Sequence, residues 1–200
     1  MSNFIYLASQ SPRRQELLNQ LGVSHQLLLP QANEDAERLE QVLPSEAALN
    51  YVRRVTKLKL QAAVARRERL GLPPAPILCA DTTVALRQQI LGKPKNASHA
   101  VQMLSALAGQ QHFVYTALSL YHQQQFFHAL SQSKVTFAPM TKEEIDRYVA
   151  TQEPFGKAGS YAVQGRAAAF IANIEGSYTG IMGLPLFECA QLLRQINWPI

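Results

Sequence analysis

A chain of 200 residues, 47% hydrophobic and 16% charged, is long enough to bury one substantial core and short for two, so one domain is expected over residues 1–200. The formal charge of +5 and a pI of about 9.4 point to an anionic partner, yet the cations form no long basic run, which favours a small phosphate-rich ligand over a nucleic-acid groove. No stretch is apolar for the ~18 residues a membrane span needs, no basic leader opens the chain, and Cys79 and Cys189 make neither a metal spacing nor a disulfide framework, so a reduced cytoplasm is expected.

In chain order, residues 4–8 read as a strand, 12–21 as a helix closed by Gly22, and 26–29 as a second short strand. Residues 30–44 are polar and acidic and read as a loop. A long amphipathic helix runs from Ser45 to about Arg69 and closes at Gly71 and the breaker run Leu72-Pro73-Pro74-Ala75-Pro76. Residues 77–86 form an almost continuous apolar run, as in a central strand. A helix at 97–107 ends before Gly109, and the runs 112–122 and 126–138 read as a hairpin joined by Gln123-Gln124-Gln125. Thr141 with Glu144 is a capping-box pair for a helix through about Ala150, 167–175 reads as a strand, and Leu184 to about Ile196 as a last helix with Pro185 in its first turn. This order, without repeats, predicts an α/β or α+β sheet domain.

Three features sit badly with a purely structural role. Ser11 can cap a helix that has Pro12 at its first position, but Arg13 and Arg14 then oppose the helix dipole; either they form a solvated pair or an anion binds at that helix end. Lys59 falls on the stripe traced by Ala48, Val52, Val55, Ala62 and Ala63, where it either snorkels to water or neutralises phosphate in a cleft. Asp81 interrupts the central strand, and an unpaired buried carboxylate would cost several kcal/mol. It therefore has a backbone or cationic partner, or opens onto a cleft as a base or metal ligand. Gly92-Lys93-Pro94, Lys157-Ala158-Gly159 and Val163-Gln164-Gly165 are turns where backbone can approach a ligand closely, and neither a P-loop nor a dinucleotide fingerprint is present. The five histidines show no metal-ligand spacing.

Leu7-Ala8-Ser9-Gln10-Ser11-Pro12-Arg13-Arg14, Ala80-Asp81-Thr82-Thr83-Val84, Gly92-Lys93-Pro94, the run Lys157 to Gly165 and Gly183-Leu184-Pro185 together resemble the Maf family of nucleoside triphosphate pyrophosphatases, over nearly the whole chain. The resemblance implies a two-lobed α/β domain with a mixed sheet, like that of inosine-triphosphate pyrophosphatases. It implies Asp81 as proton acceptor, and Ser9, Arg13, Arg14, Lys59, Lys93 and Lys157 at the phosphates. It also implies a divalent cation, Mg²⁺ or Mn²⁺, on Asp81 and Glu34. Arg13, Thr82 and Gln164 resemble the branch acting on dTTP and UTP rather than its 7-methyl-GTP sister, and a glutamine amide can both donate to and accept from a uracil or thymine edge. Asn33 and Gly156 stand where the family commonly has aspartates, which keeps open a non-catalytic nucleotide-binding regulator, since the family is also associated with inhibition of septum formation. A homodimer remains open as well.

Overall fold

In a computed structural model that describes residues 3–35 and 37–200, the spine of the fold is β3 (Ile77–Leu86) followed by the hairpin β5 (Gln111–His122) and β6 (Gln125–Phe137). β3 and β5 pair antiparallel from Ile77↔Tyr121 to Ala85↔Phe113, and β5 pairs β6 along its whole length. β1 (Ile5–Leu7) and β2 (His25–Leu27) add parallel strands on the outer side of β3, β7 (Ile171–Glu175) adds antiparallel to β6, and the order is β2-β1-β3-β5-β6-β7. A three-residue strand, β4 (Gln89–Leu91), pairs the far end of β3. The expected mixed α/β sheet is therefore present.

The outer edge of β3 explains where a site can form. β1 covers it at Ile77 and Leu78 and β4 covers it from Val84 to Leu86, so residues 79–83 have no strand on that side among the described residues. A gap in a ladder leaves backbone polar groups seeking partners and brings strand side chains to an opening.

Strand alternation then sends neighbours to opposite faces. Ile77 and Cys79 face α2 (Ala48–Arg69) and pack with Leu60 and Ala63. Leu78 and Ala80 face the other way, onto Leu17 and Leu18 of α1 (Pro12–Gln20) and Leu192 and Leu193 of α6 (Leu186–Gln195). Beyond the gap, Val84 joins a further cluster with Leu104 and Leu107 of α3 (Ala97–Leu107) and Ile145 and Tyr148 of α4 (Lys142–Ala150). Each such fully buried aliphatic side chain is worth about 1.5–3 kcal/mol. The opening in β3 thus lies between two well-packed regions.

The Thr141–Glu144 capping box forms as expected, with Glu144 N–H on Thr141 Oγ1 at 3.2 Å and Thr141 N–H on Glu144 Oε2 at 2.7 Å. Other expectations need correction. The long helix starts at Ala48 rather than Ser45, whose φ of 57° is not helical. Residues 167–175 are strand only from Ile171; Arg166–Phe170, rich in alanine and free of β-branched residues, winds into a 3-10 turn. The acidic loop holds a 3-10 turn, Glu37–Glu40, and the glycine-marked loop before α6 holds α5 (Tyr178–Met182), capped by Ser177 Oγ on Gly180 N–H at 3.0 Å. No helix among the described residues is long and apolar enough to cross a membrane.

Candidate active site

The gap in β3 opens into a cleft of about 1630 Å³, larger than most small-ligand pockets. Ser9, Arg13, Arg14, Glu34, Lys59, Asp81, Thr82, Lys93, Lys157 and Gln164 all line it, although they come from seven separate stretches of chain. The cleft gathers all ten candidate site residues.

Asp81 faces α2 and is 9% exposed. Its Oδ1 accepts a 2.6 Å hydrogen bond from Lys59 Nζ, so the lysine that looked misplaced on the helix stripe is the partner of the carboxylate that looked misplaced in the strand. Lys59 Nζ also lies 2.6 Å from Glu40 Oε1, and Lys93 Nζ lies 3.6 Å from Glu40 Oε2. Burial works against the Lys59 charge, but Asp81 and then Glu40 outweigh it and hold its pKa above the ordinary lysine value. For Glu40 burial pushes upward, and Lys59 with Lys93 brings the carboxyl below its usual range. Glu40 is itself anchored, since the Tyr51 hydroxyl donates to its main-chain carbonyl at 2.9 Å.

Thr82, one residue on, faces α1. Arg14 donates from Nε to the Gly183 carbonyl at 2.8 Å, from Nη1 to Ser9 Oγ at 3.0 Å and from Nη2 to Thr82 Oγ1 at 3.3 Å. Arg13 Nε reaches the Met182 carbonyl at 3.4 Å. The two arginines that oppose the dipole of α1 thus meet the carbonyls ending α5, where a cation is favoured. Burial pulls the Arg14 pKa down, with the charge of Asp81 acting the other way, and an arginine keeps its proton throughout. The Thr116 hydroxyl lies 2.7 Å from the Gly180 carbonyl and 3.0 Å from Thr82 Oγ1. A hydroxyl has one proton and the carbonyl can only accept, so Thr116 gives its proton to Gly180 and Thr82 donates to Thr116. Thr82 therefore braces Arg14 through its hydroxyl. Ser11 makes no side-chain cap; Ser9 Oγ accepts the Ser11 N–H at 3.2 Å instead.

The opposite wall carries Lys93 and Lys157. Gly159 N–H donates to the Gly92 carbonyl at 3.1 Å, which ties the two lysine-bearing turns together. Gly159 has φ of 68°, and a Cβ there would stand 2.9 Å from Val84 Cγ1, so only glycine lets this turn lie on β3. Lys157 Nζ donates to the Glu153 carbonyl at 2.6 Å; burial, then the nearby charge of Arg13, draws its pKa down. Gln164 is exposed at the rim.

Glu34, the expected second cation ligand, has its carboxylate on Arg66 and Arg69. Arg66 Nε lies 3.0 Å from Oε1, and Arg66, 3% exposed, also donates to the Leu28 carbonyl. The Arg66 hydrogen bonds lead the effects that lower its pKa to about 2. The acid that meets Asp81 across Lys59 is Glu40, which the sequence did not single out: in a loop without periodicity nothing separates it from Asp35 or Glu37. Among the described residues no three Asp, Glu, His or Cys side chains cluster as a metal cage.

A family model described as Maf-like protein matches residues 4–196. The chain belongs to the Maf-like family. Among its Maf-like relatives, a protein of Albidiferax ferrireducens called dTTP/UTP pyrophosphatase is 58% identical over 200 residues, covering all of both chains. One of Polaromonas with the same name is 59% identical over 193 residues, 96% of each chain. A solved nucleoside-triphosphatase described as a dITP/XTP pyrophosphatase, from Mycobacterium abscessus, aligns over 68% of this Maf-like chain and 75% of its own, at 15% identity and a TM-score of 0.44.

Proposed function

We propose that this Maf-like chain hydrolyses dTTP and UTP to the monophosphate and pyrophosphate, in the cytoplasm. The observation that carries the reading is Asp81, set in the uncovered stretch of β3, ion-paired to Lys59, with Arg13, Arg14, Lys93 and Lys157 among the other cations on the cleft walls. The names of the 58–59% identical relatives support the choice of nucleotide.

Lys59, Lys93, Lys157, Arg13 and Arg14 bind and orient the triphosphate, and fixed cations in a partly dry cleft stabilise charge that grows on phosphate oxygens. Asp81 accepts a proton from the attacking water. The water oxygen bonds to the α-phosphorus, the bond to the bridging oxygen breaks, and pyrophosphate leaves with that electron pair. Lys59 holds Oδ1 of Asp81, which leaves Oδ2 for the water. Arg13, Thr82 and Gln164 select the base, with the Thr82 hydroxyl joined to the triphosphate-binding Arg14.

The carboxylates fit a hard divalent cation, Mg²⁺ or Mn²⁺, which commonly takes one or two protein carboxylates and completes its shell with phosphate oxygens and water. Asp81 would hold it, with Glu40 the nearer second acid; Glu34 reaches a cation only by exchanging Arg66 and Arg69. Bound there, the cation would offset triphosphate charge and polarise the phosphoryl group.

The test is pyrophosphate release from dTTP, UTP, CTP, GTP and 7-methyl-GTP with Mg²⁺ or Mn²⁺, beside Asp81→Asn. Turnover should favour dTTP and UTP and fall at least about a hundredfold in the variant. An unimpaired variant would remove Asp81 from the chemistry, and no turnover of any nucleotide would leave the binding-regulator reading.

A further inference from the structure

Glu153 lies outside every motif named above, in the turn between α4 and Lys157, yet it touches both Lys157 and the turn that carries Gln164. Its main-chain carbonyl accepts the 2.6 Å hydrogen bond from Lys157 Nζ. Its carboxylate accepts the Tyr148 hydroxyl on Oε1 at 2.8 Å, the Arg166 N–H on Oε2 at 3.0 Å and, more weakly, the Ala167 N–H at 3.4 Å. Arg166 and Ala167 begin the 3-10 turn that directly follows Gln164-Gly165. Burial pushes this carboxyl up, but those donors and the Lys157 charge outweigh it, so Glu153 stays ionised in its place.

With the carboxylate in this position the contact leaves no room for a Cβ at residue 165. A Cβ on Gly165 would stand 2.3 Å from Glu153 Oε1 and 2.6 Å from Oε2. The glycine after Gln164 is thus explained by the carboxylate that packs against it. Gly165 N–H closes the turn on the Ala162 carbonyl at 3.0 Å, and Gln164 stands at its exposed corner.

We infer that Glu153 is a positioning residue for base selection, fixing the turn that presents Gln164 at a set distance from Lys157. The inference rests on the proposed roles of Gln164 at the base and Lys157 at the phosphates. A base-reading amide discriminates only when its donor and acceptor are held in one orientation. Without the brace, the turn has to be ordered when the nucleotide binds, which weakens binding and leaves the reaction at Asp81 largely untouched.

The test compares wild type, Glu153→Ala, Glu153→Gln, Gly165→Ala and the Glu153→Ala/Gly165→Ala pair, reading kcat and KM for dTTP and for CTP. Glu153→Ala should raise KM for dTTP about tenfold, lower the dTTP:CTP preference by a similar factor and keep kcat within about threefold. Glu153→Gln, which keeps an acceptor for Arg166 N–H and can donate to the Tyr148 hydroxyl, should recover most of the loss. Gly165→Ala should mimic Glu153→Ala, because its Cβ pushes the carboxylate away. The pair should be no worse than Glu153→Ala alone, since removing the carboxylate makes room for the methyl. If Glu153→Ala does not fold, Glu153→Gln and Gly165→Ala carry the comparison. An active wild type that prefers dTTP to CTP, and whose KM and preference survive Glu153→Ala or, in its place, Gly165→Ala, overturns this inference alone; a wild type that turns over no nucleotide overturns the functional reading and this inference with it.

Discussion

Burial of His112 makes the stability of the fold depend on pH in a window that the carboxylates leave clear. His112 on β5 is 1% exposed, between the edges of Phe137 and Tyr161, with ring centroids 5.2 and 5.4 Å away. Nε2 lies 2.8 Å from the Tyr161 hydroxyl, and Nδ1 has no partner among the described residues. Burial alone brings its pKa from 6.5 to about 4. The sign follows from proton counting. Below pH 6.5 the unfolded chain takes up a proton that the folded chain refuses, so stability falls with pH until the folded ring itself titrates near pH 4. Relative to neutral pH, the loss is about 1 kcal/mol by about pH 5.5 and about 2 kcal/mol by about pH 4.5. The depressed carboxylates Glu34, Glu40, Glu46 and Glu153 lose their contribution only as pH falls below 4.5, outside this range. His122 and His128 are also lowered by burial and add a shared slope, so the measurement is a comparison. Urea unfolding of wild type and His112→Gln at about pH 7 and about pH 5 isolates the ring, because glutamine can still meet the Tyr161 hydroxyl and does not titrate. The variant should lose about 1–2 kcal/mol less over that interval, whatever its stability at neutral pH. Equal losses in the two proteins would refute the reasoning.

Three further outcomes follow from the cleft. Glu40→Gln should weaken Mn²⁺ binding, read by titration calorimetry, about tenfold, while Glu34→Gln should change it less than about threefold. An equal loss in both would place Glu34 at the cation. In thermal unfolding, Glu34→Gln should cost about 2 kcal/mol, because the buried Arg66 loses its counter-charge; the figure is held down by Arg69, which is half exposed and screened. Gly159→Ala should destabilise by about 3 kcal/mol, from the left-handed backbone and the contact with Val84, lowering Tm by roughly 10 °C and raising KM as the Lys93 and Lys157 turns part.

What the sequence made legible depended on whether a residue broke a pattern. Asp81 interrupts an apolar strand, Lys59 an apolar helix stripe, and Arg13 and Arg14 the charge preference of a helix start; each conflict is resolved by a partner from a distant part of the chain. Asp81 and Lys59 resolve each other, whereas the arginines find the end of α5, a five-residue helix too short to be read in advance. β4 escaped notice because three residues give no period, yet it closes one side of the gap in which Asp81 sits. Glu40, Thr116 and Glu153 break no local pattern: an acid in an acidic loop, a threonine in a strand and a glutamate after a helix are all ordinary. Their roles exist only through partners 19, 34 and 13 residues away or more, at Lys59, Thr82 and Arg166. Side chains in conflict with their own segment could therefore be found from sequence, and side chains that settle such conflicts elsewhere could not. Glu153 marks the boundary between the two, because Gly165 did signal a close approach, and only the fold shows that a carboxylate makes it.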